Sequence, residues 1–172
     1  CRFCAQSAHS HTDAAIYPLL SEEELLADAA RCAGQGVHRY SIVTSGRQLK
    51  DPEIEQLCRA IRRIREETDL SVCASCGLLT EEQFRSLKDA GVSRIHNNLE
   101  TSRRYFPSVC TTHTFEDKIA AIRRAQAAGL SVCSGAIMGL GETIADRVDM
   151  ALTLRELKVK SIPVNLLNPI PG

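Results

Sequence analysis

Two apolar periods alternate along this chain. In SEEELLADAARCAG (residues 21–34) and DPEIEQLCRAIRRIREET (51–68), apolar side chains return every three or four positions and so gather on one helical face. Ser21 stands as the N-cap with Glu24 completing an S-x-x-E capping box, and the stretch stops at Gly34 to Gly36. In the second stretch Pro52 takes the first helical position after Asp51. Ile54, Leu57, Cys58, Ile61 and Ile64 share one face, and the basic residues take the other. Further helices are predicted from Thr80, Thr114 and near Thr143, the first two closing on Gly91 and Gly129. Between the helices lie short apolar runs: HRYSIVTSG, LSVCASCG, SRIHNNLETS, LSVCSGAIMG and SIPVNLLNPIPG. Their spacing fits a strand plus a crossover helix, so consecutive strands are predicted to be parallel and the fold class α/β. Polar or reactive residues collect at the C-terminal ends of the runs: Thr44 and Ser45, Cys76, Asn98 and Glu100, Ser134, Asn165. Parallel barrels and open sheets bind their ligands at that end.

Composition narrows the picture. With 172 residues and 44% hydrophobic content the chain suffices for one domain with a real core, but it is short for a complete α/β barrel. No linker or low-complexity stretch divides it, so residues 1–172 are read as a single domain. The opening CRFCAQSAHSHT reads as a loop, which places at least one strand upstream, and NPIPG reads as a turn rather than a finish. Acidic and basic residues balance at 21 each without a like-charge run, which argues against nucleic acid and a membrane surface and for a small-molecule partner. There is no run of 18 apolar residues and no secretory leader, so the expectation is a soluble, cytoplasmic protein.

Eight cysteines are too many for this setting to be incidental. A disulfide framework belongs to small secreted domains without a core, so metal or redox chemistry is the better reading. Cys32 and Cys58 lie in helices and are assigned to packing. Cys73 and Cys133 each end the tetrapeptide Leu-Ser-Val-Cys, in two runs separated by one βα unit. Strand alternation puts Leu70 with Val72 on one face and Ser71 with Cys73 on the other, and likewise around Cys133. If the sheet closes, both cysteines point inward, either filling small slots or converging on one ligand. Cys76, at the mouth of the Cys73 run, and Cys110, in PSVCTTH, favour a ligand set for zinc or an iron-sulfur cluster. For Cys1 and Cys4, zinc would want a further pair, and only His9 to His11 are near. A thioredoxin-like pair would open a helix, whereas polar AQSAHSHT follows.

The aromatic Phe3 before the second cysteine points elsewhere. CRFCAQS resembles the last two cysteines of the C-x-x-x-C-x-aromatic-C signature of radical S-adenosylmethionine (SAM) enzymes, and HNNLETS, CTTHTFED, VCSGAIMGLGET and SIPVNLLNPIPG resemble the biotin synthase family in order and spacing. The resemblance covers essentially the whole chain. It implies a (β/α)8 TIM-type barrel, present here from the loop after strand 1 through strand 6, with the first cluster cysteine four residues before Cys1. The implied activity is sulfur insertion into dethiobiotin by 5'-deoxyadenosyl radical chemistry. The implied cofactors are a 4Fe-4S cluster, SAM and an auxiliary iron-sulfur cluster as sulfur donor.

Carried over by motif, Cys1 and Cys4 bind the 4Fe-4S cluster. Phe3, Asn98, Glu100 and Ile137 contact SAM, Asn98 and Asn165 face the substrate, and glycines 135, 139 and 141 admit the cofactor closely. Cys73 and Cys133 match two auxiliary-cluster ligands. Ser41 replaces a cysteine that many members use for a 2Fe-2S cluster, so Cys76 and Cys110 are expected to complete a four-iron site. A flavodoxin or ferredoxin electron donor and a homodimer are also implied. Two other readings stay open: a related radical SAM enzyme of hydrogenase maturase or methylase type, and a non-catalytic zinc or thiol-rich domain.

Overall fold

The computed structural model describes residues 1–7 and 10–169. His9 and residues 170–172 of the NPIPG turn lie outside the described residues. In chain order the elements are α1 (Glu22–Gly34), β1 (Arg39–Val43), α2 (Asp51–Glu67), β2 (Ser71–Ser75), α3 (Glu81–Ala90), β3 (Val92–His96), α4 (Phe106–Val109), α5 (Phe115–Ala127), β4 (Ser131–Cys133), β5 (Ala136–Met138), α6 (Ile144–Glu156) and β6 (Val164–Leu166), and they alternate as read through β3. They fall into two compact units. One holds Tyr17–His96 with Arg124–Ser131, the other Cys1–Ile16, Asn97–Arg123 and the chain from Val132 onward.

In the first of these, β1, β2 and β3 pair in parallel in sequence order. Ser21 and Glu24 form the capping box that starts α1, and Thr80 with Gln83 does the same for α3. Ile54, Leu57, Cys58, Ile61 and Ile64 of α2 are all buried. Strand β1 alternates cleanly, Tyr40 and Ile42 buried and Ser41 and Val43 exposed. Central strand β2 does not, because Val72, Cys73 and Ala74 are buried on both faces. After β2, Gly77 lies against the loop that follows β1: a Cβ there would stand 2.1 Å from the Arg47 carbonyl oxygen, and φ is +81°.

In the other unit β5 and β6 pair in parallel, and Glu100 bridges to Ala136. The single strand read in LSVCSGAIMG is two short strands. The chain breaks at Ser134 and Gly135, where the backbone presses onto Pro163: a Cβ on Gly135 would sit 1.8 Å from the Pro163 carbonyl oxygen. Helix α4 is an element the periodicity missed. Its four residues are too few to show a period, yet Phe106 and Val109 are buried. Thr143 and Asp146 cap α6.

Candidate functional site

The cysteine loop is built by short-range turns and one long-range anchor. Ser7 N–H donates to the Cys4 carbonyl at 3.0 Å, the Ser10 hydroxyl to the same oxygen, and Arg2 N–H to the Val109 carbonyl of α4 at 2.9 Å. Cys1, Phe3 and Cys4 thereby line a cavity of about 670 Å³ with Tyr105, Leu140 and Leu167. Tyr105 is fixed by donating its hydroxyl to the Leu140 carbonyl at 3.0 Å. Gly141, at φ +103°, makes room for it, since a Cβ there would meet the tyrosine oxygen at 2.4 Å. Gly135 and Gly141 therefore each admit a neighbouring part of the protein itself.

A polar cluster follows β3. The Asn98 carboxamide oxygen accepts from Gly135 N–H at 3.0 Å, and its side chain also hydrogen-bonds Glu100. Glu100 has a left-handed backbone, φ 71°, rare for a residue with a Cβ. Gly135 and Ile137 hold it there: Glu100 N–H donates to the Gly135 carbonyl and Ile137 N–H to the Glu100 carbonyl. Burial pushes the Glu100 carboxyl up to about 7, against the pull of the Lys118 ammonium and the Asn98 hydrogen bond. Lys118 is itself lowered by burial, partly offset by Glu100, and its Nζ donates to the Asn97 carboxamide oxygen at 2.9 Å. Ile137 and Asn165 are register partners across β5 and β6.

Four buried polar atoms here have no partner among the described residues: Asn97 Nδ2, Glu100 Oε2, Thr101 Oγ1 and Ser134 Oγ. Leaving such groups unpaired costs on the order of 1–3 kcal/mol each. The hydroxyl and amino groups of a nucleoside and amino-acid cofactor such as SAM match this set of donors and acceptors in kind.

The thiols occupy distinct surroundings. Cys1 Sγ lies 3.6 Å from Cys110 Sγ, which in turn stands 3.4 Å from His113 Nδ1 and 3.7 Å from its Nε2. Burial raises the Cys110 thiol, but hydrogen bonds from Thr112 and from the backbone N–H groups of Thr112 and His113 leave it below the usual thiol range. Cys110, expected with the Cys73 set, thus has Cys1 as its sulfur neighbour. Cys133 is buried and accepts a hydrogen bond from the Ser161 hydroxyl at 3.2 Å.

In the sheet unit, Cys73 is the register partner of Ser41 on one side and Arg94 on the other, so the three share a face. Cys76 is buried, and burial pushes its thiol up to about 12 despite a hydrogen bond with Thr44.

Sequence reasoning missed the support beneath α6. Ser102 donates to Asp146 at 2.6 Å and Arg104 at 2.8 Å, and with Thr143 they hold its carboxyl far below the carboxylate range. The signal was the T-x-x-D cap at residues 143–146; the long-range partners left none.

The parallel βα series defines an α/β protein of the TIM-barrel class, and its cysteine loop borders a cavity. A family model described as the Radical SAM superfamily matches residues 1–154, and the chain belongs to that superfamily. It is similar to the biotin synthases of Akkermansia muciniphila, at 56% identity, and Alkaliphilus metalliredigens, at 54%, each over 172 residues, which is 100% of this chain and 54% of the relative. The chain thus spans about half the length of the curated relatives it matches. Among solved structures it is similar to methylornithine synthase (PylB), with a TM-score of 0.83 at 18% identity, over 98% of this chain and 50% of that one. HydG, a maturase of the [FeFe]-hydrogenase, gives 0.79 at 22%, over 98% and 40%. These two likenesses show the fold alone.

Proposed function

We propose that the chain is a segment of one radical SAM barrel domain in an enzyme that inserts sulfur into dethiobiotin to form biotin. The observation that carries this reading is identity above 50% to biotin synthases along all 172 residues, with Cys1, Cys4, Asn98, Glu100 and Asn165 in their motifs. When bound, a 4Fe-4S cluster and SAM supply a carbon radical able to take hydrogen from an unactivated carbon, and an auxiliary cluster supplies sulfur.

The chain's residues do the positioning. Cys1 and Cys4 are two thiolate ligands of the SAM cluster, with Phe3 beside the adenine. Asn98 orients the Glu100 carboxylate, whose free oxygen accepts ribose hydroxyls, and Ile137 offers an apolar contact to the base. Asn165, next to Ile137 in register, and Asn98 donate to the substrate's ureido group. Cys73, Cys133 and Cys76 are assigned to the auxiliary cluster on the sequence pattern, in place of a 2Fe-2S site that would need a cysteine at Ser41. A flavodoxin-type or ferredoxin-type donor delivers electrons in the cytoplasm, and the protein acts as a homodimer. No described helix is long and apolar enough to cross a membrane.

Reconstituted anaerobically, the complete protein is expected to carry two clusters. Cys4→Ala should abolish SAM cleavage and leave auxiliary iron, whereas Cys73→Ser should abolish biotin and auxiliary iron while SAM cleavage continues. Unchanged iron and sulfide in Cys73→Ser would remove Cys73 from the cluster.

A further inference from the structure

Cys110 and His113 have no part in the reaction proposed above, yet they meet a residue that does. The three donor atoms of Cys1, Cys110 and His113 all lie within 4.8 Å of one another. In a tetrahedral site with metal–sulfur bonds of about 2.3 Å and metal–nitrogen bonds of about 2.0–2.1 Å, the S–S edge is about 3.8 Å and the S–N edge about 3.5 Å. Two of the three edges match these values, 3.6 Å between the sulfurs and 3.4 or 3.7 Å from Cys110 to the imidazole nitrogens, and the third, from Cys1 to the imidazole, is within 4.8 Å.

The donors are also held. Cys110 caps α4 through its N–H to the Phe106 carbonyl, and Arg2 N–H ties the Cys1 loop to Val109. The His113 ring packs edge-on against Phe106 with centroids 5.6 Å apart. Two thiols and an imidazole suit a thiophilic, borderline-soft divalent cation rather than calcium or magnesium.

We propose that Cys1, Cys110 and His113 form a mononuclear site for a thiophilic divalent cation of the zinc or ferrous class, occupied when the cysteine loop lacks its cluster. A fourth position is left for water. Because Cys1 belongs to both sets, the cation and the cluster exclude each other; this clause rests on the reading of Cys1 as a cluster ligand. The cation holds the loop against α4 and keeps two thiols as thiolates until the cluster displaces it, releasing protons as it binds.

The test uses the cluster-free protein under anaerobic conditions with Co2+ as the spectroscopic probe. In a Cys73→Ser, Cys76→Ser background that removes the auxiliary thiol set, the expected result is one Co2+ per chain with the visible bands of a tetrahedral thiolate site. Cys110→Ala and His113→Gln should each weaken binding at least about 10-fold, while Cys4→Ala leaves it unchanged. Far-UV circular dichroism checks each variant's fold, and half-buried His113 offers the gentler change if Cys110→Ala unfolds. Excess Zn2+ should slow 4Fe-4S reconstitution in the parent protein and not in Cys110→Ala. Failure to bind Co2+, or binding that survives both Cys110→Ala and His113→Gln, overturns the site. So does binding that Cys4→Ala abolishes. Biotin formation is measured separately, so a failed cation site and a failed biotin reading are distinguishable.

Discussion

Between pH 4.5 and about 7, burial keeps a proton on Glu100 in the folded chain that the unfolded chain has released. Its folded carboxyl is raised to about 7 by burial, against the ordinary glutamate value of 4.5. Between those values the native state holds more protons, so this group makes stability fall as pH rises through the window. Glu100→Gln should flatten that slope in urea midpoints measured from pH 4.5 to 8, and an unchanged slope would mean that burial does not raise the group. Asp146 works in the opposite sense. Its depressed carboxyl contributes stability that is present above the ordinary range and lost as pH falls below it, so Asp146→Asn should lower the midpoint at pH 7 and much less in strong acid. Asn98 and Glu100 were legible because they stand at the end of an apolar run. Lys118 and His113 were not, since a residue on a following helix or loop reveals its partner only once the chain has folded back.

At the scale of elements, local rules carried most of the reading. The caps at Ser21, Thr80 and Thr143 each use a side chain and a partner three residues on, a pattern visible in any window. Thr143→Ala should cost about 0.5–2 kcal/mol, measured by urea unfolding. The break between β4 and β5 was invisible because its cause is Pro163, a distant neighbour in sequence. Gly135→Ala drives a Cβ into a backbone carbonyl that cannot swing away, and should destabilise by about 3 kcal/mol or more. Gly34→Ala meets nothing within 4 Å and should leave stability equal or higher. If both glycine variants behaved alike, the packing at Gly135 would not be what splits the strand.

For the whole molecule, the order of helices and strands and the parallel pairing followed from periodicity and spacing, because each βα unit repeats the same local problem. The cluster chemistry did not follow from periodicity. It came from CRFC read with the later motifs, and Cys73, Cys133 and Cys76 are distinguished from packing cysteines by pattern and not by burial, since Cys58 is buried as well. The central claim is that these residues serve biotin formation. Its most direct test is an anaerobic assay of the complete protein with SAM, reductant and dethiobiotin, quantifying biotin and 5'-deoxyadenosine together. The account predicts that both accumulate and that both disappear in Cys4→Ala. Formation of 5'-deoxyadenosine without biotin, in protein with both clusters loaded, would contradict it and place the chain with a different radical SAM reaction.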